Sequence, residues 1–295
     1  MRINFIVLSI IFFKSLASQC VNFGFTAEAP FNDAVVVKFN SKNDHISLHY
    51  DMSYDPDDYL SAVADRAVLQ ILYPEIIYNQ TSRVIGTCGG SCSGYNTPAN
   101  EVMKAIYGDV GGYKLTIGAS KYLRNDAVKY ELDFFKNTIN RGGKVFVKEG
   151  GESDFTMKVV QELEKWKIGS GKSVYIVQHS STNEKNAGKG VLSYVKSTCN
   201  YIKIPDGNPP YRRKNYKYNG SLSGETKSFD FYALQSSLKD AWKISFDEFR
   251  KKKSYCSGKA EPVSKCVDFS DTTELLYIVG SSVKNMDDFI KYFIK

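Results

Sequence analysis

Residues 144–163 read KVFVKEGGESDFTMKVVQEL. A short β-branched and aromatic run meets a pair of glycines. Beyond them Phe155, Val159, Val160 and Leu163 recur at helical spacing. The stretch predicts a strand, a glycine turn and an amphipathic helix from Asp154 to Trp166. The same unit recurs on both sides. KLTIGAS (114–120) precedes a helical segment from Lys121 to Asn140, and SVYIVQHS (173–180) precedes GKGVLSYVKST and then the strand-like YIKIP. Nearly continuous apolar strands that alternate with helices predict an α/β fold: a mainly parallel sheet with helices on both faces. Ligands of such sheets bind outside the carboxyl ends of the strands. The turns to examine are therefore DMSYDPDD, VIGTCGG, VKEGGESD, QHSSTNEKN and IPDGN.

Nearer the start, AVVVKFN (34–40) and HISLHYD (45–51) are separated by SKND, which reads as a turn between two strands. From Asp57 to Tyr73 the residues Leu60, Val63, Ala64, Ala67, Val68 and Ile71 predict a helix. RVIGT is a short strand, and Pro98 suits the first turn of the helix PANEVMKAIYG. Residues 209–225 are polar and Tyr-rich and read as a surface excursion or lid. One domain is expected from residue 19 to residue 295.

The first twenty residues, MRINFIVLSIIFFKSLASQC, place Arg2 before an apolar run from Phe5 to Phe13, with small residues at Ala17 and Ser18. That is the layout of a secretory signal peptide over residues 1–18. The run is far shorter than the roughly 20 residues of a membrane span. A secreted protein with no membrane partner is expected. Its net charge of +7 is too modest to call for a nucleic-acid partner, and the basic runs YRRKNYKYNG and FRKKKSYC read as solvated faces. Cys20, Cys88, Cys92, Cys199, Cys256 and Cys266 allow up to three disulfides. Asn79 and Asn219 open glycosylation sequons.

In DMSYDPDD (51–58) the acids Asp51, Asp55, Asp57 and Asp58 crowd one strand-to-helix turn. Asp57 and Asp58 fall in a first helical turn, where the helix's positive end favours them by about 0.3–1 kcal/mol each. Asp51 and Asp55 gain nothing from it. Their mutual repulsion calls for a cation, and several carboxylate oxygens suit a hard ion such as Ca²⁺. A solvated acidic turn is the alternative.

DMSYDPDD resembles the aspartate-rich signature D-x-D-P-x-x-D-D of the inosine-uridine nucleoside hydrolases, with Asp51, Asp57 and Asp58 matching its first and last two aspartates. VFVKEGGESDFTMKVVQEL is similar to the later G-P-L-T-N element of that family, with Gly150, Ser153 and Asp154 at the glycine, threonine and asparagine. VIGT resembles its V-x-G-N turn, with Thr87 replacing the asparagine. IVQHSSTNEKN and CVDFSDTTELLYIVG fall where the family has its sugar-contacting residues and its last metal-binding Asp. The resemblance runs from about Ile46 to Gly280. It implies a nucleoside-hydrolase-like, Rossmann-like single domain with Ca²⁺ at the bottom of a pocket. The ion would be held by Asp58 and Asp51, the Ser153 carbonyl and a C-terminal aspartate, either Asp268 or Asp271. Asp57, Asn183, Glu184 and Asp154 would contact the sugar. An Asp-activated water would attack the anomeric carbon of a nucleoside or related small glycoside.

The departures are specific. The family's general base aligns with Ser53, and a serine hydroxyl cannot accept a water proton as a carboxylate can. Asp51 or Asp55 would have to serve. The family's His before its last Asp is here Val267, and His179 is the histidine in a post-strand position, as a catalytic group or as a buried hydrogen-bonded one. GTCGGSCSGYN and GSGKS lack the context of a phosphate loop. The readings are a Ca²⁺-dependent N-glycosidic hydrolase, a catalytically silent sugar-binding protein on the same fold, or a disulfide-stabilised secreted interaction protein. Composition fixes no oligomeric state.

Overall fold

The computed structural model describes residues 38–52, 56–89, 98–117, 123–207, 222–225, 229–251, 266–283 and 285–294. Its centre is a sheet of β1 (His45–Tyr50), β2 (Thr81–Ile85), β3 (Lys114–Leu115), β4 (Val145–Gly150), β5 (Val174–Gln178) and β6 (Asn200–Lys203). The order is β3-β2-β1-β4-β5-β6, with every pair parallel. Parallel neighbours need crossovers. These are supplied by α1 (Asp57–Leu72), α2 (Ile76–Asn79), α3 (Pro98–Tyr107), α4 (Asn125–Asn140), α5 (Asp154–Trp166), α6 (Ser181–Asn186) and α7 (Val191–Thr198). Beyond the sheet come α8 (Phe229–Ala233), α9 (Lys239–Lys251), α10 (Thr272–Ile278) and α11 (Met286–Phe289). The α/β class is as the sequence predicts.

The strand pleat divides the core. Ile46, Leu48, Tyr50 and Phe146 join one cluster with residues of α1, α3 and α9, including Trp242 and Phe249. Val145, Val147, Val174 and Ile176 join a second with residues of α4, α5 and α7. Cover on both faces is why the strands read as unbroken apolar runs, and each buried Phe or Val side chain contributes about 1.5–3 kcal/mol. Helix α1 is buried all round from Asp57 to Leu69, because α3, α9 and α10 cover the side that the sheet leaves open.

Three expectations change. HISLHYD is not half of a hairpin: β1 takes β2 on one edge and β4 on the other, both parallel, so neither edge is left for AVVVKFN. Residues 34–37 lie outside the described residues, and 38–40 are not strand. KLTIGAS contributes only the two residues of β3, and the helix after it begins at Asn125. Of the expected lid, Ser223–Glu225 instead forms β7, antiparallel to β8 (Cys266–Asp268), while 209–221 lies outside the described residues, as do the N-terminal segment and Asn219.

Cys199 is a free, buried thiol. With one of six cysteines unpaired, the three disulfides that the count allows reduce to two at most within the chain. No helix among the described residues is long and apolar enough to cross a membrane.

Candidate functional site

In the order β3-β2-β1-β4-β5-β6 the connections run one way from β1 and the other way from β4. A crevice opens at such a reversal, outside the carboxyl ends of the two strands. The turns that meet there are Asp51–Met52 after β1 and Gly151–Ser153 after β4. They pack closely. The Tyr50 carbonyl accepts the N–H groups of Gly86 (2.8 Å) and Thr87 (3.2 Å), a bend that Gly86 permits with φ +84°. A Cβ on Gly151 would lie 2.2 Å from the Thr87 carbonyl oxygen and 3.1 Å from the Asp51 Cβ.

Met52 has φ +44°, the left-handed region, a conformation that costs a non-glycine residue of order 1 kcal/mol or more. The surroundings hold it there. Its side chain is buried in the core, and its N–H donates to Asp58 Oδ2 at 2.7 Å. The strained turn thereby fixes the carboxylate of Asp58.

Asp58 and Asp271 are fully or almost fully buried, and their carboxylates meet. Burial pushes both well above the ordinary carboxylate range. Asp51 adds to this at Asp58, and Asp58 adds to it at Asp271, although Lys148 pulls both down. No donor reaches Asp58 Oδ1. Lys148 is itself fully buried. Its Nζ lies 3.7 Å from Asp65 Oδ2, donates to the His49 carbonyl at 3.4 Å and sits 4.3 Å from the centroid of the Tyr50 ring. Burial opposes its charge, but Asp65, Asp271, Asp58 and Glu274 outweigh that and raise its pKa.

His179, at the end of β5, faces the same cluster. Its Nδ1 and its backbone N–H both reach Glu274 Oε1, at 3.0 and 2.8 Å. Its Nε2 lies 3.4 Å from Asp271 Oδ1 and 4.0 Å from Asp206 Oδ1. Burial lowers its pKa, and Glu274, Asp271 and Asp206 more than restore it, so the net shift is upward.

The expected residues thus divide. Asp51, Asp58, Asp271 and His179 come together. Asp57 is buried in the first turn of α1. Ser53 and Asp55 lie outside the described residues. Asp268 accepts the Ser270 N–H at 3.2 Å, and the Asp271 carboxylate meets that of Asp58. The Ser153 carbonyl accepts the Met157 N–H at 2.8 Å. Asp154 accepts the Gly188 N–H at 3.1 Å, while its neighbour Glu152 accepts the Gly89 N–H at 2.9 Å; together they tie the surrounding loops to the end of β4. Glu184 does not point to free hydroxyl recognition. It contacts Lys196 at 3.0 Å, Lys203 at 3.6 Å and the Tyr201 hydroxyl at 3.1 Å, and despite its partial burial those lysines hold its carboxyl below the usual range. Asn183 is half-buried, with its N–H on the Ser180 hydroxyl.

The calcium that the resemblance implies can be tested against these donors. Asp58, Asp65, Asp271 and Glu274 place four buried carboxylates around one ammonium and one imidazole, and Asp58 Oδ1 and Glu274 Oε2 are without donors. Carboxylate oxygens are the donors that a hard dication takes, and Asp58 and Asp271, with Asp51 beside them, supply that donor type. They form a carboxylate pair and not a closed cage. Among the described residues no group of three or more His, Cys, Asp or Glu side chains is set to hold a metal. The remaining coordination would fall to water or ligand hydroxyls.

Lys148, Asp65, Glu274 and Gln178 have no counterpart in the sequence reading. Lys148 shares a pleat face with Phe146, and a lysine inside an apolar strand was the available signal. Asp65 stands seven residues after Asp58, on the same stripe of a helix buried from Asp57 to Leu69. Gln178 donates to the carbonyls of Glu149 (2.9 Å) and Gly151 (3.0 Å) and so clamps the turn after β4. Comparison of the chain with protein-family models, with curated proteins and with solved structures finds no match.

Proposed function

We propose that this chain is an exported, nucleoside-hydrolase-like hydrolase of N-glycosidic bonds in nucleosides or related small glycosides. The observation that carries the reading is the meeting of Asp58 and Asp271 at the reversal point of the sheet, since a fold of this topology receives its ligands there. Calcium, when bound at Asp51, Asp58 and Asp271, would hold and acidify a water. The chain's own groups do the rest. Asp51, half-buried after β1, would take a proton from water in the role that Ser53 cannot fill. The buried carboxylates favour the positive charge that develops on the sugar as the bond to the base breaks. Asp57, Asp154 and Asn183 would serve as hydroxyl partners of the sugar. Export is supported by the N-terminal pattern and by Asn79, whose sequon side chain is exposed.

A second reading, a sugar-binding protein without turnover, is favoured by Ser53 itself. One assay separates the two. Purified protein is incubated with a panel of nucleosides, with and without Ca²⁺, and reducing sugar is followed. Release that Asp51→Asn and Asp58→Asn abolish supports the hydrolase. Binding without release, converted to release by Ser53→Asp, supports the silent protein. Neither release nor binding of any nucleoside sinks both.

A further inference from the structure

A fully buried lysine demands an account, because desolvation alone would drive it neutral. Lys148 stays charged by occupying a cage. The Tyr50 ring covers one side, the His49 carbonyl accepts a hydrogen bond from it, Asp65 Oδ2 lies 3.7 Å away as an ion-pair partner, and Tyr50 Oη donates to the same Asp65 oxygen at 2.8 Å. Gly150 supplies the remaining space. A Cβ there would lie 2.7 Å from Lys148 Nζ and 3.3 Å from Asp58 Oδ1, so the ammonium and that donorless oxygen are no more than about 6 Å apart across a gap that only glycine leaves. Asp271 and Glu274, from α10, complete the surrounding charge.

We propose that the Lys148 ammonium is the resident counter-ion of the acidic site, holding the α1 and α10 carboxylates together with no divalent ion bound. The site is then built before any metal arrives. Calcium is dispensable for the fold, and the nearby ammonium, by repelling it, keeps its affinity low. The inference rests on the calcium assignment above only for the ion used as a probe; it requires no turnover.

The test compares wild-type protein, Lys148→Met and the core-cavity control Ile176→Ala by thermal unfolding, each in EDTA and in ~10 mM CaCl2, above the ~1 mM upper end of extracellular calcium modules. Wild-type protein is expected to stay folded in EDTA, with a Tm close to its value in CaCl2. Lys148→Met leaves buried carboxylates uncompensated and is expected to lose roughly 10 °C in EDTA, and calcium should restore most of that loss. Ile176→Ala should lose Tm without calcium rescue, which separates a counter-ion from a merely packed side chain. A wild-type chain that unfolds on EDTA treatment, or a Lys148→Met chain with wild-type Tm in EDTA, overturns the proposal. Should Lys148→Met yield no folded protein, the wild-type arm decides alone. No arm reads sugar release, so failure of the hydrolase reading and failure of this one are distinct results.

Discussion

One oxygen of Glu274 receives both the ring Nδ1 and the backbone N–H of His179, at 3.0 and 2.8 Å, across 95 residues of chain. The contact docks α10 on the end of β5, and Thr272 docks the same helix on α1 through the Ser61 carbonyl at 3.2 Å. Glu274→Gln keeps the shape and removes the charge that steadies the imidazole. Removing one partner of a buried charged pair costs about 3–5 kcal/mol, so urea unfolding at pH 7 should show a loss of that order. A change within experimental scatter would mean that the pair is incidental.

Asp58→Asn should separate stability from function. The amide oxygen still accepts the Met52 N–H, and the burial and like-charge pressure on Asp58 disappears. Folding stability is expected to hold or rise, while any sugar release falls by about 100-fold or more. A variant that unfolds readily yet keeps its turnover would contradict both halves.

Gly150→Ala meets backbone: its Cβ would lie 2.5 Å from the His49 carbonyl oxygen as well as against Lys148. Overpacking of this kind costs about 1–3 kcal/mol. Chemical denaturation measures it, and an unchanged midpoint would show that β1 and β4 part more easily than their pairing implies.

His45 predicts an acid limb. Burial, with Arg141 and Arg83 nearby, lowers its pKa from 6.5 to about 3, and its Nε2 contacts the Ser82 hydroxyl at 2.8 Å. The folded pKa lies below the unfolded one, so the unfolded chain takes up the proton first as pH falls. The stabilisation is complete above about 6.5 and drains away towards about 3, by on the order of 4–5 kcal/mol in full. His45→Gln should flatten the loss of stability between neutral and mildly acid pH. Superimposable profiles for variant and wild type would remove His45 from the account.

Cys199 should be chemically silent while the chain is folded. Burial pushes its thiol up to about 12, and the thiolate is the reactive form. Alkylation followed by peptide mass spectrometry should label Cys199 only after denaturation. Rapid labelling of native protein would place the thiol at the surface.

The sequence made the fold legible where period and punctuation agreed: the apolar run from Val145, the paired glycines and the helix from Asp154 fall within a residue of their observed limits. It misled at HISLHYD, because a run with a turn before it looks the same whether its partner is the preceding segment or two distant strands. The aspartates at the ends of β1 and α1 were legible as a cluster. Lys148, Asp65 and Glu274 were not, because a charge facing a buried polar pocket and a charge facing water are the same letter. That Asp271 meets Asp58 while Asp268 accepts the amide of Ser270 needed the tertiary fold.

The two strands that frame the crevice, β1 and β4, are also neighbours at the middle of the sheet, each paired on both edges. Their amides should be the last to exchange with deuterated solvent, since opening them requires the sheet to come apart. The acids are therefore anchored to the slowest-breathing part of the chain, while Asp154 and Glu152 reach to loops at its rim. Selection could rewrite those loops, and with them what the crevice accepts, without unsettling the charges at its floor.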